Sequence, residues 1–86
     1  MPENYWELSK FGHAYRQWRL ASQPGPAETA QVKRWARHVT CTGPPGHEAP
    51  ISDSGEDFTD WVVDTNVFVT YVVSHRDQQV IIRRIE

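Results

Sequence analysis

The amino-acid sequence points to a two-layer α+β domain, with two helices packed on an antiparallel sheet of three to four strands. Three observations carry this. Val32, Trp35, Ala36 and Val39 recur at i, i+3, i+4 and i+7, which is the apolar stripe of an amphipathic helix. From Phe58 onward the apolar period falls from 3.6 to two, over three runs rich in β-branched and aromatic residues. The turns between those runs, Asp64-Thr65-Asn66 and His75-Arg76-Asp77-Gln78, are too short to join anything but antiparallel neighbours.

At the N-terminal end, 5–9 reads as a short strand. Asn4 and Glu7 have capping-box spacing, which would instead start a helix at Tyr5, but Gly12 inside so long a helix would cost about 1 kcal/mol. The strand is favoured. Phe11, Tyr15 and Trp18 then follow helical spacing, giving a first helix over 10–22. Gln23-Pro24-Gly25-Pro26 breaks it. The second helix spans 26–41: Pro26 suits the first turn, Glu28 suits the positive end of the dipole, and Gly43-Pro44 stops it. Residues 43–57, rich in Gly, Pro and acid, read as a long mobile loop. The strands follow at 58–63, 67–74 and 79–85. The middle strand is apolar on both sides, with Val67, Val69, Tyr71 and Val73 on one face and Phe68 and Val72 on the other. Two helices can cover one of those faces; the other is expected to stay open and apolar, which marks a partner site.

A length of 86 residues allows one domain, 1–86, and one core. Hydrophobic residues at 38% and charged residues at 23% exclude a wholly disordered chain. No apolar run approaches the ~20 residues of a membrane helix, no signal peptide is visible, and the lone Cys41 has no internal disulfide partner, so a cytoplasmic protein is expected. The net charge of −2 is segregated. Residues 1–47 carry six basic groups (Lys10, Arg16, Arg19, Lys33, Arg34, Arg37) against Glu3, Glu7 and Glu28. Residues 48–75 carry Glu48, Asp53, Glu56, Asp57, Asp60 and Asp64 with no Lys or Arg. A net-acidic domain lacks the attraction on which most nucleic-acid binding rests. A local basic ridge of Arg16, Arg19, Lys33, Arg34 and Arg37 remains available for an acidic partner.

The element order, strand–helix–helix–loop–meander, resembles the RelE/ParE toxin superfamily of bacterial toxin–antitoxin systems. The paired segments Val69-Thr70-Tyr71-Val72-Val73 and Val80-Ile81-Ile82-Arg83 look like that family's final two strands, and Pro44-Pro45-Gly46 sits where the family often turns. The resemblance implies either ribosome-dependent mRNA cleavage or gyrase poisoning. Cleavage in RelE-like relatives uses several basic side chains on the sheet and an aromatic or histidine near the C-terminus. Here Trp61, Val62 and Val63 stand where basic residues are wanted, Phe68 stands where relatives usually have Arg, and the chain stops at Ile85-Glu86. Only Arg83 and Arg84 match the catalytic pattern.

The sequence therefore argues against an enzyme and for a ParE-like or degenerate toxin component that acts by protein contact. Its expected partners are a small antitoxin, a cellular target such as gyrase, or a second copy of this chain, meeting Phe68, Val72 and the basic ridge. The alternatives are a binding module unrelated to toxins and, behind that, a RelE-like mRNA endonuclease using Arg83 and Arg84. No cofactor and no metal is expected. His38, Cys41 and His47 fall one ligand short of a structural zinc site. Cys41 with His38 lacks the third, orienting group of a nucleophile–base pair. Asp53, Glu56, Asp57 and Asp60 do not have EF-hand spacing.

Overall fold

The chain folds as β1 (Glu7–Ser9), α1 (Phe11–Ser22), α2 (Pro26–Thr42), β2 (Phe58–Trp61), β3 (Phe68–Ser74) and β4 (Gln79–Ile85). This is a computed structural model, and it describes residues 5–45 and 57–86. The four strands form one sheet in the order β1-β4-β3-β2. β2, β3 and β4 make the expected antiparallel meander. The N-terminal strand is present, but it lies parallel to β4, with Leu8 opposite Val80, so the sheet is mixed rather than purely antiparallel. Two helices intervene between β1 and the meander, and a connection that long can bring β1 back in either sense.

The core lies between the helices and one sheet face. Ala14 and Trp18 from α1 and Val32, Trp35, Ala36 and Val39 from α2 meet Val69, Tyr71, Val73, Val80, Ile82 and Ile85 from the sheet. Val32, Val69 and Val80 are wholly buried. The stripe read from α2 is thus its buried face.

The ends of α2 follow local chemistry. Pro26 opens the helix, and the Gly25 N–H donates to the Glu28 carboxylate at 3.4 Å. At the other end the Gly43 N–H donates to the Val39 carbonyl at 2.8 Å. Gly43 has φ +93°, and a Cβ there would sit 2.9 Å from Trp6 Nε1. The glycine serves both the backbone geometry and the close approach of Trp6. The Trp6 N–H in turn donates to the Thr40 carbonyl at 2.9 Å, and the Glu7 N–H to the Gln78 carbonyl at 3.0 Å. These bonds fasten the start of the chain to both α2 and β4.

The strand expected over 58–63 ends at Trp61. The Val62 N–H donates to the Val67 carbonyl, and the Thr65 hydroxyl donates to the Val62 carbonyl at 2.7 Å, so the turn begins two residues early. Of the loop expected to be mobile over 43–57, residues 46–56 lie outside the described residues.

Candidate functional site

Register assigns every position of the sheet face that the helices leave uncovered. Trp61 lies opposite Phe68, and Phe68 exchanges both backbone hydrogen bonds with Glu86. Thr59, Thr70 and Arg84 make the next row. Val72, Ile81 and Ser9 follow, then Ser74, Gln79 and Glu7. Phe68 and Trp61 are 45% and 49% exposed, which is high for aromatic side chains this large. Val72, named from the sequence, and Ile81 are half-buried. The sequence suggested an apolar face throughout, and the register corrects this. A Thr–Thr–Arg row separates an aromatic pair from an aliphatic pair.

A β-bulge places the arginines. Tyr71 pairs with Ile82 but Thr70 pairs with Arg84, so Arg83 is an extra residue in β4. Ile82 and Ile85 are both buried, three residues apart, and Arg83 and Arg84 between them are both exposed. Had the same four residues run on without a bulge, strict alternation would have turned Ile85 out and one arginine in. Arg83 Nε lies 3.4 Å from an Asp57 carboxylate oxygen. Asp57 precedes Phe58, the β2 partner of Tyr71, so this pair spans β3 from β4 to the start of β2; Thr70 of β3 is only 8% exposed. Arg84 Nε lies 2.7 Å from Glu86 Oε1. Both arginines also line a groove with His13, Gln17 and Ser22 of α1. His13 as their neighbour is legible only from the fold, because it stands 70 residues away along the chain.

The basic ridge expected across the helices divides in two. Arg19 and Lys33 come together over the Tyr15 ring, 5.7 and 5.9 Å from its centre. Arg16 lines the same helix surface beside Tyr15 and Arg19. Arg34 turns the other way, into a groove between α2 and the β2 edge, and Arg37 is exposed on α2.

That second groove has a volume of about 450 Å³ and is lined by Gln31, Arg34, Trp35 and His38 of α2 and by Asp60, Trp61, Val62 and Val63. Gln31, Arg34, Trp35 and His38 share one helix face because they recur every three or four residues. Asp60 lies opposite Val69, on the core side of β2, and its Oδ2 accepts from Trp35 Nε1 at 2.7 Å. Nearby, burial and, secondarily, the Asp60 charge push the Tyr71 phenol up to about 12. Sequence reasoning counted Asp60 with a solvated acidic run and Trp35 with the core, and so missed the pairing. The signal was parity: Phe58, Asp60 and Val62 alternate with outward residues, which puts a carboxylate on a buried face.

No known protein family, curated protein or solved structure matches this chain. Its chemistry is read from its own surface. Among the described residues no three His, Cys, Asp or Glu side chains are grouped to hold a metal ion; His47, Asp53 and Glu56 lie outside them. Cys41 is exposed. Among the described residues no helix is long and apolar enough to cross a membrane.

Proposed function

We propose that the chain is a toxin-like component of a bacterial toxin–antitoxin pair, akin to the RelE/ParE superfamily, acting through protein contact and not through RNA cleavage. The observation that carries this is the uncovered sheet face, where the Trp61–Phe68 pair stands exposed, with Val72 and Ile81 beyond the Thr59–Thr70–Arg84 row. Aromatic side chains exposed on a rigid sheet are the usual anchors of a protein interface. The order of elements agrees with the resemblance on which the family reading rests. The partner that fits is a small antitoxin supplying apolar side chains to this face.

Contact is favoured over cleavage by the state of the arginines. Arg83 and Arg84 each face a carboxylate, Asp57 and Glu86. A scissile phosphate would have to compete with Asp57 for Arg83 and with Glu86 for Arg84.

The test is induced expression of the chain alone in bacteria. Growth arrest with cellular mRNA left intact is the expected result. Normal growth at high yield would remove the toxin reading and leave a binding module. Arrest with fragmented mRNA, both abolished by Arg83→Ala with Arg84→Ala, would replace contact by catalysis.

A further inference from the structure

The groove between α2 and the β2 edge has no part in the sheet-face reading, apart from Trp61 at their shared corner. It has the size and lining of a small-molecule site: about 450 Å³, with indole and valine surfaces and a few polar groups at defined places. Its polar groups are of opposite charge and lie on opposite elements. Asp60 comes from β2, half-buried, and Arg34 comes from α2 with His38 one turn further on. Among the described residues no ion pair joins Arg34 to Asp60, although both line the same groove.

Asp60 is fixed in place. Its Oδ2 takes the Trp35 indole N–H at 2.7 Å, and among the described residues nothing donates to Oδ1. Trp35 is itself 8% exposed, so the carboxylate is held by a side chain locked in the core. A second indole, Trp61, is held at the opposite wall by its Nε1, which donates to the Thr65 carbonyl at 2.6 Å. Val63, 56% exposed, continues that wall outward.

We propose that this groove binds a free α-amino acid with an aromatic side chain. The ammonium donates to Asp60 Oδ1, the carboxylate faces Arg34 and His38, and the ring lies against Trp35, Trp61 and Val63. A zwitterion is the chemistry that satisfies both protein charges at once. A ligand without the amine leaves the half-buried Asp60 carboxylate facing it unpaired, and one without the carboxylate forgoes the contact with the exposed Arg34. The ring is required because the two charges alone would not offset the cost of displacing their water, whereas an aromatic group buries apolar area against the exposed Trp61 and Val63.

The probes are L-phenylalanine, phenethylamine, which lacks the carboxylate, 3-phenylpropionate, which lacks the amine, and glycine, which lacks the ring. Each is titrated into the full chain at millimolar concentration and followed by two-dimensional NMR, reading the indole N–H signals of Trp35 and Trp61. L-Phenylalanine is expected to move both signals saturably, with the three analogues at least about tenfold weaker. Asp60→Asn keeps an acceptor for Trp35 and is expected to cost L-phenylalanine about tenfold while leaving 3-phenylpropionate unchanged. Arg34→Gln is expected to do the converse, sparing phenethylamine. The proposal fails if L-phenylalanine moves neither indole signal, if the analogues bind as well as L-phenylalanine, or if both variants bind it like the parent chain. The analogue series on the parent chain decides the matter even if a variant does not fold. Growth arrest plays no part in any of these readouts, so this result and the toxin reading stand or fall separately.

Discussion

At the scale of single residues, the Asp60–Trp35–Tyr71 cluster is where this small core departs from plain apolar packing. Tyr71 is 4% exposed, stacked 5.9 Å from the Phe58 ring, with its hydroxyl 3.4 Å from the Pro45 carbonyl. Its phenol is raised from 10.0 to about 12, first by burial and then by the Asp60 charge. The sign of the consequence follows. The folded state holds the Tyr71 proton to higher pH than the unfolded chain does, so this stabilisation is complete below pH 10 and is lost between pH 10 and 12. The full shift corresponds to a loss on the order of 2–3 kcal/mol by the upper end of that window. Denaturant unfolding at pH 8, 10 and 11.5 checks it, with Tyr71→Phe expected to flatten this part of the profile. In ultraviolet titration Asp60→Asn should bring the Tyr71 transition down but leave it above that of a free tyrosine, because burial is the larger cause. A transition unmoved by Asp60→Asn would deny the carboxylate its share.

At the scale of elements, the C-terminal end of α2 and the bulge in β4 each rest on one residue. Gly43→Ala would put a methyl group 2.9 Å from Trp6 Nε1 at a φ of +93°. A cost of about 1–3 kcal/mol is expected, from backbone strain and displacement of the ring, read as a lower denaturation midpoint with an unchanged slope. The bulge gives the opposite expectation for a change that looks harsher. Deleting a strand residue ordinarily turns every later side chain to the other face. Deleting Arg83 removes the extra residue, so Ile82 stays inward, Arg84 stays outward and Ile85 stays inward. The deletion should fold and lose no more than about 1 kcal/mol, the ceiling for an exposed ion pair such as Arg83–Asp57. Deleting Ile81 should unfold the sheet. These elements also mark what the sequence could and could not disclose. The α2 stripe, the meander and the two faces of β3 were legible because periodicity reports burial directly. The parallel sense of β1 was not, because three residues carry no period and the direction is set by the helices between β1 and β4. The Ile82-Arg83-Arg84-Ile85 break in alternation did announce a bulge, but charged residues at a strand end also read as simple fraying. Of the candidate site, Phe68 and Val72 were legible as outward positions of β3. The split of the basic ridge was not, because it depends on which helix face each neighbour covers.

At the scale of the whole molecule, two surfaces of different physics are open to the partner proposed above, and they make separable predictions. The sheet face offers Trp61, Phe68, Val72 and Ile81, with its arginines already paired to carboxylates. The helix layer offers Arg16, Arg19 and Lys33 gathered around Tyr15, exposed and cationic. An apolar contact resists salt, whereas a contact made by exposed charges weakens once ionic strength shortens the Debye length to about 8–10 Å. Because Phe68 is 45% exposed and Val72 only half-buried, Phe68→Ser with Val72→Thr should leave the fold intact, at a cost within about 1 kcal/mol by thermal melting. The same pair of substitutions should abolish the growth arrest proposed above, since it removes apolar anchors from the face. Arg16→Gln, Arg19→Gln and Lys33→Gln together should preserve the arrest, and at most slow its onset, because exposed charges govern encounter more than residence. If the glutamine variant grows freely while the Phe68 and Val72 variant still arrests growth, the working surface is the helix layer. The exposed aromatic pair would then need another explanation.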